Sequence, residues 1–163
     1  MVVPFDLNAI SDVHSAWVER MGWHNKTVLE SLALIASELG EAAAECIGSV
    51  NPEKFGEELA DILLRTADLA KTEGVNLNEE VAKVTVTWTT TTLPERIAEI
   101  LVGYATWTNS ARTAALGPDF GHGMAVVVAQ VIDLAGTCGI DLQEHVRLKV
   151  AKNELRGTRG RII

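Results

Sequence analysis

The stretch Ser37-Glu-Leu-Gly-Glu-Ala-Ala-Ala-Glu-Cys-Ile-Gly-Ser-Val-Asn-Pro-Glu-Lys-Phe-Gly-Glu-Glu-Leu-Ala-Asp61 decides how this chain is read. Two segments within it, Glu38-Leu-Gly-Glu41 and Glu58-Leu-Ala-Asp61, each set two acids three residues apart. On a helix that spacing puts Glu38 beside Glu41 on one face, and Glu58 beside Asp61 on the next. Gly48-Ser-Val-Asn-Pro52 between them reads as a turn, with Pro52 suited to the first turn of the following helix. The four carboxylates then converge. Like charges a few ångströms apart repel and raise one another's pKa values, so such a cluster persists where a cation neutralises it. An all-oxygen donor set favours Mg2+, with Mn2+ as the alternative, over zinc.

Outward from this stretch, apolar periodicity predicts an all-α helical bundle, with helices over 6–20, 27–47, 52–74, 77–84, 94–112, 121–137 and 142–156. The first carries Ile10, Val13, Trp17, Val18 and Met21 at helical spacing and stops at Gly22. Thr27 with Glu30 three residues later is the capping-box pattern. Leu32, Ile35 or Ala36, Leu39, Ala43 and Cys46 form the expected core stripe of the second helix, beside a stripe of Leu34, Glu38, Glu41 and Glu45. The third sets Leu59, Ile62, Leu63 and Thr66 to the core, beside Glu58, Asp61, Arg65 and Asp68. Thr85 to Thr92 is rich in β-branched residues that suit a strand, but no strand partner lies nearby. It reads as the frayed end of the fourth helix running into a connector, and Ala114 to Phe120 reads as a loop.

A shift of 65 residues aligns two halves without a gap, with 16 of 61 positions from 23 to 83 identical, including Trp23/Trp88, Phe55-Gly56/Phe120-Gly121 and Asp68-Leu-Ala70/Asp133-Leu-Ala135. We read this as an internal duplication, 1–88 and 89–163, forming one compact fold. Asp68, whose twin Asp133 is kept in the second half, suits a structural hydrogen bond, with an outer-shell metal role as the alternative. The acids differ: Glu38 aligns with Gly103, Glu41 with Thr106, Glu58 with Gly123 and Asp61 with Val126. A merely solvated face would have kept other polar residues, so the pattern suits a site held once per chain.

Net charge is −8 and unevenly spread. Residues 147–163 hold six basic side chains against Glu154, or +5, which leaves 8 − 21 = −13 for the first 146. An acidic body argues against a nucleic-acid polymer, while a basic tail suits phosphate. No apolar run approaches about 18 residues, so no membrane span is expected. Met1-Val-Val-Pro-Phe-Asp6 lacks a signal-peptide pattern, and two cysteines, Cys46 and Cys138, fit a reducing cytoplasm. Trp23, His24 and Lys26 sit at the second helix's entrance, where they can contact a base or phosphate; His14 and His145 read as surface residues or satisfied partners. Glu-x-x-His pairs, which a di-iron carboxylate bundle needs, do not occur.

These residues resemble the all-α nucleoside triphosphate pyrophosphohydrolases of the MazG-like superfamily. The resemblance rests on Glu38, Glu41, Glu58 and Asp61, on Ala36-Ser-Glu-Leu-Gly-Glu-Ala42, Glu57-Glu-Leu-Ala-Asp-Ile-Leu63 and Gly74-Val-Asn-Leu77, and on Lys149-x-x-x-Asn153-x-x-Arg156. It covers residues 23–84 well and the second half as a decayed copy. It implies Mg2+-dependent hydrolysis of a nucleoside triphosphate, such as a dNTP or modified NTP, to the monophosphate and pyrophosphate. By that resemblance the four acids hold metal, while Lys149, Asn153 and Arg156 hold phosphates. A further family acid falls at Ser37 here, so Glu57 or Glu45 is the candidate catalytic base. The family's dimers imply a homodimer, or a composite site completed within one duplicated chain. Alternatives are a phosphoribosyl-ATP pyrophosphohydrolase-like enzyme and a non-catalytic nucleotide-sensing or helical oligomerisation module.

Overall fold

The computed structural model describes residues 4–23, 27–113 and 118–156, with the side chains at 111–118 and 156 outside that description. Among the described residues there are seven helices and no strand: α1 (Leu7–Arg20), α2 (Val28–Glu45), α3 (Pro52–Thr72), α4 (Leu77–Ala82), α5 (Leu93–Thr113), α6 (Pro118–Thr137) and α7 (Leu142–Arg156). Side-chain caps fix the starts. Asp6, Thr27, Asn51 and Asn76 each hold an extended backbone and accept hydrogen bonds from first-turn N–H groups. Each such cap contributes about 1 kcal/mol. Expected ends fall within two residues of these, except that α6 begins at Pro118, inside the predicted loop. Residues 114–117 of that loop lie outside the described residues. Thr85 to Thr92 is irregular, and Glu99 accepts bonds from the Thr89 N–H and from the Thr89 and Thr90 hydroxyls.

The core centres on α3, which packs against α1, α2, α6 and α7. Leu59, Ile62, Leu63 and Leu64 are buried on it, each worth roughly 1.5–3 kcal/mol relative to exposure. Helical geometry leaves one polar stripe on this helix, Glu58, Asp61, Arg65 and Asp68. On α2 the buried positions are Leu32, Ile35, Leu39 and Ala42, so the inward residues are Ile35 rather than Ala36 and Ala42 rather than Ala43. The helix α6 is apolar enough in length and composition to cross a bilayer; in this fold α3, α4 and α5 cover it.

Helix limits recur at the same spacing as the sequence matches. Val28 and Leu93, Leu77 and Leu142, and Thr72 and Thr137 are each 65 residues apart. Gly74 and Gly139, after the latter pair, both take a left-handed backbone, φ 68° and 67°, that other residues adopt at a cost. Contacts repeat too: α7 lies on α3 as α4 lies on α6. The third helix of each half therefore packs on the middle helix of the other. Asp68 accepts a bond from the Ser15 hydroxyl (2.7 Å), the structural bond expected for this acid, and Asp133 accepts one from the Trp88 indole (2.7 Å).

The halves differ where the acids differ. At Gly123, the counterpart of Glu58, an added Cβ would lie 2.1 Å from the Trp107 ring, so that indole fills the space. Phe120 and Tyr104 pack around it at 5.2 and 5.6 Å. Overpacking of this kind costs about 1–3 kcal/mol. Gly123→Ala is therefore expected to lower unfolding free energy by about that much in urea denaturation, whereas the same change at Gly40, which has nothing within 4 Å, is expected to leave stability unchanged or raise it.

Candidate metal centre

The α2–α3 pair delivers the acids as their spacing requires. Carboxylate oxygens of Glu38, Glu58 and Asp61 lie within 4.8 Å of one another. That separation is close to twice a hard cation's oxygen distance of roughly 2.1–2.4 Å, so three carboxylates from two helices can share one ion after slight closure. Glu41 lines the same cleft from its more exposed side. No sulfur or imidazole joins the trio, a donor set for Mg2+ or Mn2+.

Two cations sit among these acids. The Arg65 Nε donates to Glu38 Oε1 at 3.3 Å, and Lys149 from α7 forms an ion pair with Asp61. Even so, burial chiefly, then Asp61, pushes the Glu38 carboxyl upward against the pull of Arg65. Glu58 rises from its ordinary 4.5 to about 7, through burial first and then Asp61 and Glu41. Burial first, and then the neighbouring acids, disfavour the ionised form of Glu38 and Glu58, which favours a proton or a metal ion.

The cleft, about 450 Å³, continues between α1 and α7. Asn153 lies one turn beyond Lys149, and both are buried. Opposite stand His14, Trp17 and Trp23, with His14 stacked on Trp17 at 5.5 Å and Trp23 set edge-on to it at 4.9 Å. His14 Nε2 and the indole N–H groups of Trp17 and Trp23 are buried without a hydrogen-bond partner. Buried polar atoms are rarely left so, and His14, Trp17 and Trp23 all line this cleft. Burial, chiefly, and Arg65 hold His14 down to about 4 despite the nearby Asp68, so its imidazole is neutral at neutral pH. A larger groove of about 540 Å³ between α1 and α7, lined by Phe5, Ile10, Val13 and Val150, is mainly apolar and lacks this convergence.

The structure thus brings together Glu38, Glu41, Glu57, Glu58, Asp61, Lys149, Asn153 and Trp23. Glu57 sits at the rim, where Lys152 Nζ pairs with it at 3.1 Å. Glu45 does not line the cleft: one helical turn past Glu41 carries it roughly 6 Å along the axis, beyond the site. Lys26 lies outside the described residues, as does the Arg156 side chain. The sequence reading gave no site role to His14, read as a surface residue or a satisfied partner and found buried, or to Trp17, assigned only to the core. Their three-residue spacing on one face of α1 was the available signal. Comparison with protein-family models, curated proteins and solved structures found no match.

The raised Glu58 sets a pH dependence. In the folded state its pKa is about 7, against 4.5 ordinarily, so the folded chain holds the proton more tightly. That contribution to stability is fully present below the unfolded value and is lost as pH rises through about 7. Thermal denaturation in EDTA is expected to show Tm falling across this window, and Glu58→Gln is expected to remove most of the fall.

Proposed function

We propose that this chain is a Mg2+-dependent nucleoside triphosphate pyrophosphohydrolase of the MazG-like type, formed by tandem duplication and carrying one site. The observation that carries the reading is the cleft itself: three acids with oxygens within 4.8 Å share its lining with Lys149, Asn153, His14, Trp17 and Trp23. The recurrence of helix limits at a 65-residue spacing supports the duplication, and the indole beside Gly123 suits a second site that has been filled.

Each side chain then has a task. Glu38, Glu58 and Asp61, with Glu41 beside them, hold Mg2+, for which Mn2+ can substitute. When bound, the ion draws charge from the phosphate oxygens and lets a triphosphate approach a carboxylate cluster. Lys149 and Asn153 face the phosphates from α7. Trp17 and Trp23 give the base apolar contact, while their N–H groups and neutral His14 offer it hydrogen bonds. Glu57, at the rim, orients a water and takes its proton as the water oxygen bonds to the α-phosphorus. The bond from that phosphorus to the bridging oxygen breaks, and pyrophosphate departs with the bonding pair.

The test is release of pyrophosphate, assayed separately from phosphate, for each common NTP and dNTP with Mg2+. Wild type is expected to release pyrophosphate from a preferred nucleotide, and Glu38→Ala or Asp61→Ala to lower kcat/KM by at least about 100-fold, the scale of lost charge stabilisation at a reacting centre. His14→Ala is expected to raise KM more than it lowers kcat, since it removes binding rather than chemistry. Mg2+ binding with no release from any nucleotide would turn the reading toward a non-catalytic nucleotide-sensing module.

A further inference from the structure

Lys149 and Asn153 reach the cleft because α7 lies on α3, and one contact sets how closely it lies. Residues 145, 149 and 153 are four apart, so they form a single stripe along α7. At the head of that stripe the half-buried His145 ring rests on the bare backbone of Gly56, near the start of α3. A methyl group at position 56 would stand 2.4 Å from its Nε2, 2.6 Å from its Cε1 and 2.7 Å from its Cδ2, closer than such atoms approach. Glu57 and Glu58 follow Gly56 directly, and Lys149, one turn beyond His145, pairs with Asp61.

The distance between packed helices follows from the side chains at their contact. In the other half the counterpart of Gly56 is Gly121, and that of His145 is Glu80. A methyl group at Gly121 would meet Val75 at 3.3 and 3.4 Å and Glu80 at 3.9 Å, a fit relieved by a few tenths of an ångström. The crossing at Gly56 is the tighter of the two, and it is the one that serves the acids. We propose that Gly56 and His145 are positioning residues for the cleft. The ring seated on bare backbone fixes the distance and rotation of α7, and with them the reach of the Lys149 ammonium to Asp61 and of Asn153 into the cleft. Only the consequence for turnover rests on the proposed hydrolysis.

Acylation of lysines in the folded protein, read by mass spectrometry, tests the seat directly in wild type, Gly56→Ala, Gly56→Ala/His145→Ala and Gly121→Ala. Lys149, buried and paired, is expected to be protected in wild type relative to exposed Lys71. Gly56→Ala is expected to lose that protection, and the double variant to regain it, because removing the ring makes room for the methyl. Gly121→Ala is expected to keep it. Protection retained in Gly56→Ala would mean that the ring turns aside without moving α7, and overturns the proposal. So does equal loss in Gly121→Ala, or no recovery in the double variant. If Gly56→Ala does not fold, the double variant decides: folding restored with Lys149 protected supports the seat, and no folding overturns it. Pyrophosphate release is expected to follow the same pattern, with kcat/KM falling about 100-fold in Gly56→Ala, the scale for a misplacement near 1 Å, and recovering in the double variant. No turnover in wild type would remove the proposed reaction and leave the lysine result standing.

Discussion

Repulsion among four carboxylates on two adjoining helices is the constraint that the rest of this structure answers. Once α2 and α3 pack through Leu39, Leu59 and Ile62, the polar stripe that each helix carries beside its core face cannot avoid the other's. Glu38, Glu58 and Asp61 meet within 4.8 Å. The chain tempers this with Arg65, with Lys149, and with the raised Glu58 carboxyl that keeps a proton up to about pH 7. None of these removes the excess. A half-buried acidic cluster, in a cleft also lined by His14, Trp17 and Trp23, is a candidate for binding a ligand.

The second half shows what the same framework looks like without that constraint. There Gly123 stands where Glu58 stands, Val126 where Asp61 does, and the freed volume is taken by the Trp107 indole. Packing stands there at the positions where charge stands in the first half. The first half still depends on the second, because α7 crosses to α3 and carries Lys149 and Asn153 into the cleft. In turn α1 closes the opposite side. Its first residues are bonded to Asn76 and Asn78 of the α4 start, and Arg20 pairs with Glu154 of α7. A site assembled from both ends of the chain depends on the whole bundle being folded.

Much of this was legible in the sequence because it is local. The Thr27 cap, the glycine stop at 22 and the three-residue spacing of the acids follow from helix geometry alone. Register errors of one residue, Ala43 for Ala42, arose where neighbouring small residues fit either face. Other features depend on how distant helices meet. His14 reads as a surface residue or a satisfied partner until Trp17 is seen stacked on it, and the pairing of Lys149 with Asp61 shows only when α7 is seen lying on α3. Glu45 shows the opposite failure: it continues the acidic stripe by spacing, but the rise of the helix takes it past the end of the cleft.

The central claim is that the excess charge between α2 and α3 is neutralised by a divalent cation. Its most direct test is anomalous scattering at the manganese edge from crystals of the protein soaked in Mn2+. The account predicts one strong anomalous peak bounded by the carboxylates of Glu38, Glu58 and Asp61. A cleft without such a peak, at Mn2+ concentrations that fill other surface acids, would contradict it.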